Sequence, residues 1–232
     1  MRSLSFLTDK GVLPKPAEPE RAQRELDMWL HEAHTRSTDE PELAQFMADL
    51  LTQNDGREFL QAVFGNSPFL SLGLRHDPSI LQHVTEHGFD KTFEYLLTAL
   101  ESKQLWRMGR AEVMSGLRLA KRSVAVAIGM ADISGAWPLE KVCWSLSQFA
   151  EISISIALNY LLFQAYKSEQ LLLENPDDPE SESGVVVLGM GKLGARELNY
   201  SSDIDLLVLF DGEKINHHGS DGPQQSLHRM VR

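Results

Sequence analysis

The hydrophobic period changes once along this chain, and that change restricts the folds open to it. From Ser79 to Leu173, apolar residues recur at spacings of three and four, as in helices with one buried face. Beyond Gly184 the pattern becomes two short apolar runs, Val185–Leu188 and Ile204–Phe210, which read as strands. The β-branched Val185–Val187 run predicts a strand covered on both faces. The expected class is α+β, with a mostly helical N-terminal region and strands only near the end.

Within the helical part, segments are expected over Glu20–His34, Leu43–Leu51, Glu58–Phe64, Ser79–Glu86 and Lys91–Glu101. Leu70–Leu74 continues the pattern weakly. A further helix is predicted over Lys103–Ala131, interrupted near Gly116. Pro138 suits the first turn of a helix, where its missing N–H costs nothing. From there to about Leu173 no glycine or second proline occurs, so one long spine helix is expected. Asn175–Ser183 is rich in Pro, Asp, Glu and Ser and marks the best boundary. The chain then divides into a lead-in over 1–57, a helical region over 58–174, an acidic linker over 175–183 and a sheet-forming core over 184–232. Asp211–Pro223 reads as a polar loop, and Gln225–Arg232 as the start of a helix.

Composition narrows the function. The chain has 232 residues and a formal net charge of -11, which argues against a broad nucleic-acid surface. Its single cysteine, Cys143, rules out a disulfide within the chain. The spacing of Cys and His gives no zinc motif. No uninterrupted apolar run reaches membrane-spanning length, and the start lacks the apolar core of a signal peptide. A cytoplasmic setting without membrane or nucleic-acid partners is the expectation.

The chemistry is concentrated in Gly189–Asp211, GMGKLGARELNYSSDIDLLVLFD. Two readings compete. Gly189, Gly191 and Gly194 fit the G-x-G-x-x-G of a dinucleotide-binding turn. That turn needs a helical crossover of a dozen or more residues to a parallel strand. Only nine residues, Ala195 to Asp203, precede the next apolar run, and they contain the turn-like Asn199-Tyr200-Ser201-Ser202. The other reading is a nucleotidyl-transfer site. Asp203 and Asp205 are two apart at the start of a strand, so their carboxylates share a face and can converge on Mg²⁺. The bare backbone of the glycine turn can approach phosphate oxygens. Ser202 is equally suited to contact a phosphate or to cap the local backbone. A D-x-D pair alone is common in turns. Two aspartates entering an apolar strand, however, call for a partner, because burying their charge is costly.

The stretch Leu188–Leu206, LGMGKLGARELNYSSDIDL, resembles the signature of the glutamine synthetase adenylyltransferase family. Phe64-Gly65-Asn66-Ser67-Pro68-Phe69-Leu70, Ala131-Asp132-Ile133, Gly135 and Trp137-Pro138-Leu139 extend the resemblance upstream. It implies the start of a nucleotidyltransferase domain of the polymerase-beta-like superfamily. It further implies a bifunctional enzyme whose N-terminal half removes AMP from a tyrosine of glutamine synthetase by phosphorolysis, releasing ADP. The C-terminal adenylyltransferase domain adds AMP from ATP. By the same resemblance, Asp203 and Asp205 are metal ligands and catalytic, and Gly189, Gly191, Gly194 and Ser202 face nucleotide or phosphate. Mg²⁺ is the implied cofactor, and glutamine synthetase, the PII signal protein and the C-terminal domain are the implied partners. The family completes its site with a third carboxylate on a later strand, for which Asp211 and Asp221 are poorly placed. The 232-residue chain is therefore expected to be truncated, with an incomplete sheet, and inactive alone. The alternative is a non-catalytic helical interaction module with an incomplete transferase site.

Overall fold

The computed structural model describes residues 13–217. The expected helix over Gln225–Arg232, the end of the polar loop and Asp221 lie outside the described residues. The described chain is mostly helical with two small antiparallel sheets, which is the α+β class expected. It divides into two compact units, residues 13–97 with 120–142, and residues 98–119 with 143–217.

The first unit is built around helices α1 (Pro19–Arg36), α2 (Pro41–Thr52), α3 (Asn54–Asn66), α4 (Pro68–His76) and α5 (Ser79–His87). Pro19, Pro41 and Pro68 each stand in the first turn of their helix, where a proline sacrifices no hydrogen bond. Trp29, Met47, Phe59, Leu60 and Phe64 are fully enclosed. Trp29 also donates its indole N–H to the Met47 carbonyl at 3.0 Å, so its one polar group is satisfied inside the core. The Phe64–Leu70 segment is a joint. Asn66 accepts from Ala17 N at 3.1 Å and donates to Lys15 O at 3.1 Å, which docks the proline-rich lead-in. Ser67 caps α4 by accepting from Leu70 N at 3.2 Å. Arg75 is clamped between Glu25 at 3.1 Å and Glu32 at 3.2 Å. Burial raises the Glu32 carboxyl above its ordinary range, and the Arg75 charge pulls the other way.

Helix α6 (Phe89–Ser102) is followed by a 3-10 turn at Leu105–Arg107 and then by α7 (Arg110–Ile133). The helix expected over 103–131 is thus broken at its beginning rather than near Gly116. Gln104 takes a left-handed φ of 45°, which ends the helical run. Gly116 lies inside α7 because a Cβ there would come 2.7 Å from Leu105, so it is a packing glycine. After α7, Trp137 donates its indole N–H to Asp90 at 2.7 Å and meets Phe93 edge-on with ring centroids 5.7 Å apart.

Helix α8 (Leu139–Lys167) starts as expected and stops short of Leu173. Glu169 adopts φ 56°, Gln170 N donates to Ala165 O at 3.0 Å, and Glu169 N donates to Tyr166 O at 3.0 Å. This pair of bonds is the Schellman ending, here built on a glutamate instead of a glycine, so composition did not announce it. Leu171–Leu172 then forms β1, paired antiparallel with β4 (Asn216–His217). By length and composition α8 could cross a membrane. In the second unit, however, its Leu158, Leu162 and Ala165 share a core with Leu171, Val185 and Ile215.

The second sheet pairs β2 (Val185–Gly189) with β3 (Leu206–Phe210), in antiparallel register from Val185↔Phe210 to Gly189↔Leu206. Two expectations change here. The second strand begins at Leu206, not Ile204. Nor is β2 covered on both faces. Val185 is buried and Val187 and Val208 are half-buried against the α8 core, whereas Val186, Leu188 and Leu209 are 42–53% exposed. A two-stranded ribbon places one face on a helix, and among the described residues nothing covers the other.

Candidate functional site

The glycine turn and the aspartate pair are neighbours across the β2–β3 ladder. The ladder runs one bond past the strands, where Met190 N donates to Asp205 O at 2.9 Å. Asp205 is thereby fixed opposite the residue that leads into the one-turn helix α9 (Gly191–Gly194). The antiparallel pairing of β2 with β3 also removes the dinucleotide reading, which requires a parallel crossover.

Each glycine has a local reason to be there. Gly191 has φ +54°, in the left-handed region that favours glycine. A Cβ on Gly194 would lie 2.4 Å from the Gly189 carbonyl oxygen, and one on Gly189 would lie 2.8 Å from Leu193 Cγ. The turn therefore folds back onto the end of β2 with Leu193 buried beneath it. Lys192 points to solvent.

Asp203 and Asp205 are both exposed, and neither carboxylate takes part in an ion pair or side-chain hydrogen bond among the described residues. They precede β3 rather than lying inside it, so their charge is not buried as a place within an apolar strand would suggest. Among the described residues no group of three His, Cys, Asp or Glu side chains could hold a metal ion. Asp211 ends the other end of β3, beside Phe210, where its backbone N–H donates to Gly184 O at 2.8 Å. Ser202 is engaged locally, its hydroxyl hydrogen-bonded to the side-chain oxygen of Asn199. In this arrangement Ser202 closes the Asn199 turn.

The sequence reading passed over residues on α8 that hold this segment. Ser147, fully buried, accepts from Leu198 N at 3.2 Å and donates to Cys143 O at 2.9 Å. Glu151 receives both Arg196 Nε at 3.1 Å and Arg196 Nη2 at 3.3 Å. Farther along, Ser155 donates to Glu180 at 2.6 Å, and Asn159 both donates to the Glu180 carboxylate at 3.2 Å and accepts from Glu180 N at 2.9 Å. No local signal singled them out, because α8 carries other polar residues, such as Ser145, Gln148 and Ser153, at unrelated spacings. An open hollow of 630 Å³ in the first unit, bordered by Arg36, His76, Asp77 and Gln82, contains none of the motif residues.

Comparison with known proteins agrees with the motif. The family model for glutamate-ammonia ligase adenylyltransferase matches residues 57–229. A protein of Rhizobium meliloti (strain 1021), named bifunctional glutamine synthetase adenylyltransferase/adenylyl-removing enzyme, is 38% identical over 76% of this chain and 18% of its own length. A protein of the same name from Bradyrhizobium diazoefficiens is 37% identical over 90% of this chain and 20% of its own length. Another, from Rhodopseudomonas palustris (strain HaA2), is 40% identical over 66% of this chain and 15% of its own length. The chain thus spans about a fifth of the length of the curated relatives it matches. No solved structure matches it. With the motif at the sheet end and the family match running from before α4 through that motif, the chain belongs to the glutamate-ammonia ligase adenylyltransferase family.

Proposed function

We propose that this chain is part of the adenylyl-removing half of a cytoplasmic bifunctional enzyme acting on glutamine synthetase, and that residues 184 onward begin its nucleotidyltransferase domain. The observation that carries the reading is the Met190 N–Asp205 O bond, which joins a bare glycine turn to a pair of unengaged carboxylates. The bifunctional names of the relatives support the substrate. The position of the helical region before the motif favours the adenylyl-removing half, with the C-terminal domain and PII as further partners of the full-length protein.

The donor set suits Mg²⁺, which binds through one or two carboxylates and completes its shell with water and substrate phosphates. Asp203 and Asp205 would hold it, and the ion would supply charge stabilisation at the transferred phosphorus. Gly191, whose Cβ position is open, leaves room for phosphate oxygens close to the backbone, and Gly189 and Gly194 allow the tight fold-back that presents it. Ser202, through Asn199, shapes the approach to Asp203. In the reaction, a phosphate oxygen forms a bond to the phosphorus of adenylyl-tyrosine, the bond from phosphorus to the tyrosyl oxygen breaks, and that oxygen takes up a proton as ADP leaves.

The direct assay is release of ADP from adenylylated glutamine synthetase and phosphate by the full-length protein. Asp203→Asn and Asp205→Asn should each lower the rate about 100-fold or more, the usual cost of removing one group that stabilises transition-state charge. Unchanged ADP release in both variants would show that the carboxylates are not the site. A second reading, a helical interaction module without catalysis, draws on the observation that no group of three metal-capable side chains is assembled among the described residues. It predicts a complex between the 232-residue chain and glutamine synthetase that survives both Asp→Asn changes, with no ADP released by the full-length protein.

A further inference from the structure

Ser147, Glu151, Ser155 and Asn159 recur at every fourth residue, so they form one stripe along α8. Each is bonded to chain that flanks β2. Ser155 and Asn159 hold Glu180, shortly before the strand. Ser147 and Glu151 hold Leu198 and Arg196, shortly after the glycine turn. The stripe thus grips both approaches to the strand whose end opens the site.

The downstream grip sits where the backbone needs holding. Between Ala195 and Asp205 the chain has no regular structure, and it must deliver two aspartates to a fixed place. Arg196 stands at φ 57° and Ser201 at φ 56°, conformations that side-chain-bearing residues adopt rarely. The Arg196–Glu151 pair is well exposed, with side chains 59% and 41% accessible, so Coulomb attraction contributes little to stability. Its two-pronged geometry instead fixes a direction. The Leu198 N–H is buried and has Ser147 Oγ as its acceptor, so losing that hydroxyl strands a buried donor.

We propose that Ser147 and Glu151 are positioning residues that set the course of Arg196–Leu198 and, through it, the placement of Asp203 and Asp205. Neither touches substrate or metal. The consequence for chemistry rests on the metal-ligand reading of the two aspartates, whereas the consequence for the loop does not.

The test uses the 232-residue chain, with Mn²⁺ as a spectroscopically visible probe, and the variants Ser147→Ala, Glu151→Gln and the hydroxyl-retaining Ser147→Thr. Amide hydrogen exchange over residues 195–203 should quicken about fivefold or more in Ser147→Ala and Glu151→Gln, the scale of one lost hydrogen bond. Exchange over residues 156–165 of α8 should stay unchanged, showing that the fold is intact. Mn²⁺ affinity, read by electron paramagnetic resonance, should fall about fivefold with it and recover in Ser147→Thr. Unchanged loop exchange overturns the inference whatever Mn²⁺ does. Faster exchange with wild-type Mn²⁺ affinity, where Asp203→Asn abolishes binding, also overturns it, since the grip would then be structural only. Equal Mn²⁺ binding by wild type and Asp203→Asn removes the metal-ligand reading and the consequence for chemistry with it, while faster loop exchange in Ser147→Ala and Glu151→Gln still supports the hold on Arg196–Leu198.

Discussion

The helices of the first unit and the β2–β3 segment both carry apolar residues and use them in opposite ways. Trp29, Met47, Phe59 and Phe64 are 0% exposed, whereas Leu206, Leu207 and Leu209 are 42–48% exposed. Helices α1 to α4 pack on one another, so these core side chains meet neighbours on every side. A ribbon of two strands has one face against α8, and its shape is kept by polar bonds: the ladder, the Asn159–Glu180 contacts and the Ser147 and Glu151 grips. Volume holds the first region, and direction holds the second.

That contrast can be broken most forcefully in the first region. Trp29→Ala removes a fully enclosed ring together with its indole hydrogen bond to the Met47 carbonyl. It should cost about 3–5 kcal/mol, visible as a lower midpoint in urea denaturation. A cost below about 1 kcal/mol would mean that the first region is not held by volume. Gly194→Ala addresses the second region. The new methyl would stand 2.4 Å from a backbone oxygen that cannot rotate away, so about 1–3 kcal/mol of overpacking is expected. The loss should register in amide exchange near residues 189–205 and leave residues 54–76 unaffected. The smallest effect belongs to the open face of the sheet. Leu209→Thr, at a site 48% exposed, should change the stability of the 232-residue chain by no more than about 0.5 kcal/mol in the same denaturation experiment. A larger loss would show that this face is covered in solution.

Much of the helical part was legible because its signals are local. Apolar residues three and four apart marked most of the helices, and Pro138 marked the start of α8, whereas α4, opened by Pro68 and capped by Ser67, was read only as a weak continuation. The end of α8 was not legible, since its left-handed residue is Glu169 rather than a glycine. Gly116 misled for the complementary reason: it answers to the Leu105 side chain across a turn of the chain, not to its own helix. At the candidate site, the glycines and the aspartate pair stood out by spacing. Ser147 and Glu151 did not, because serine and glutamate on a helix ordinarily face water, and nothing local distinguishes a residue that meets a loop some 45 positions away.

The sequence by itself determined the class of the fold, the family and the residues that carry its motif, because period, caps and a long uncommon signature are properties of neighbouring residues. The tertiary structure decided that β2 and β3 run antiparallel, that the glycine turn abuts Asp205 through one backbone bond, and that a polar stripe on α8 holds the loop between them. Those are contacts between segments far apart along the chain. They depend on how the backbone turns at residues such as Arg196 and Glu169, where a left-handed conformation is held by its surroundings and leaves no mark in composition.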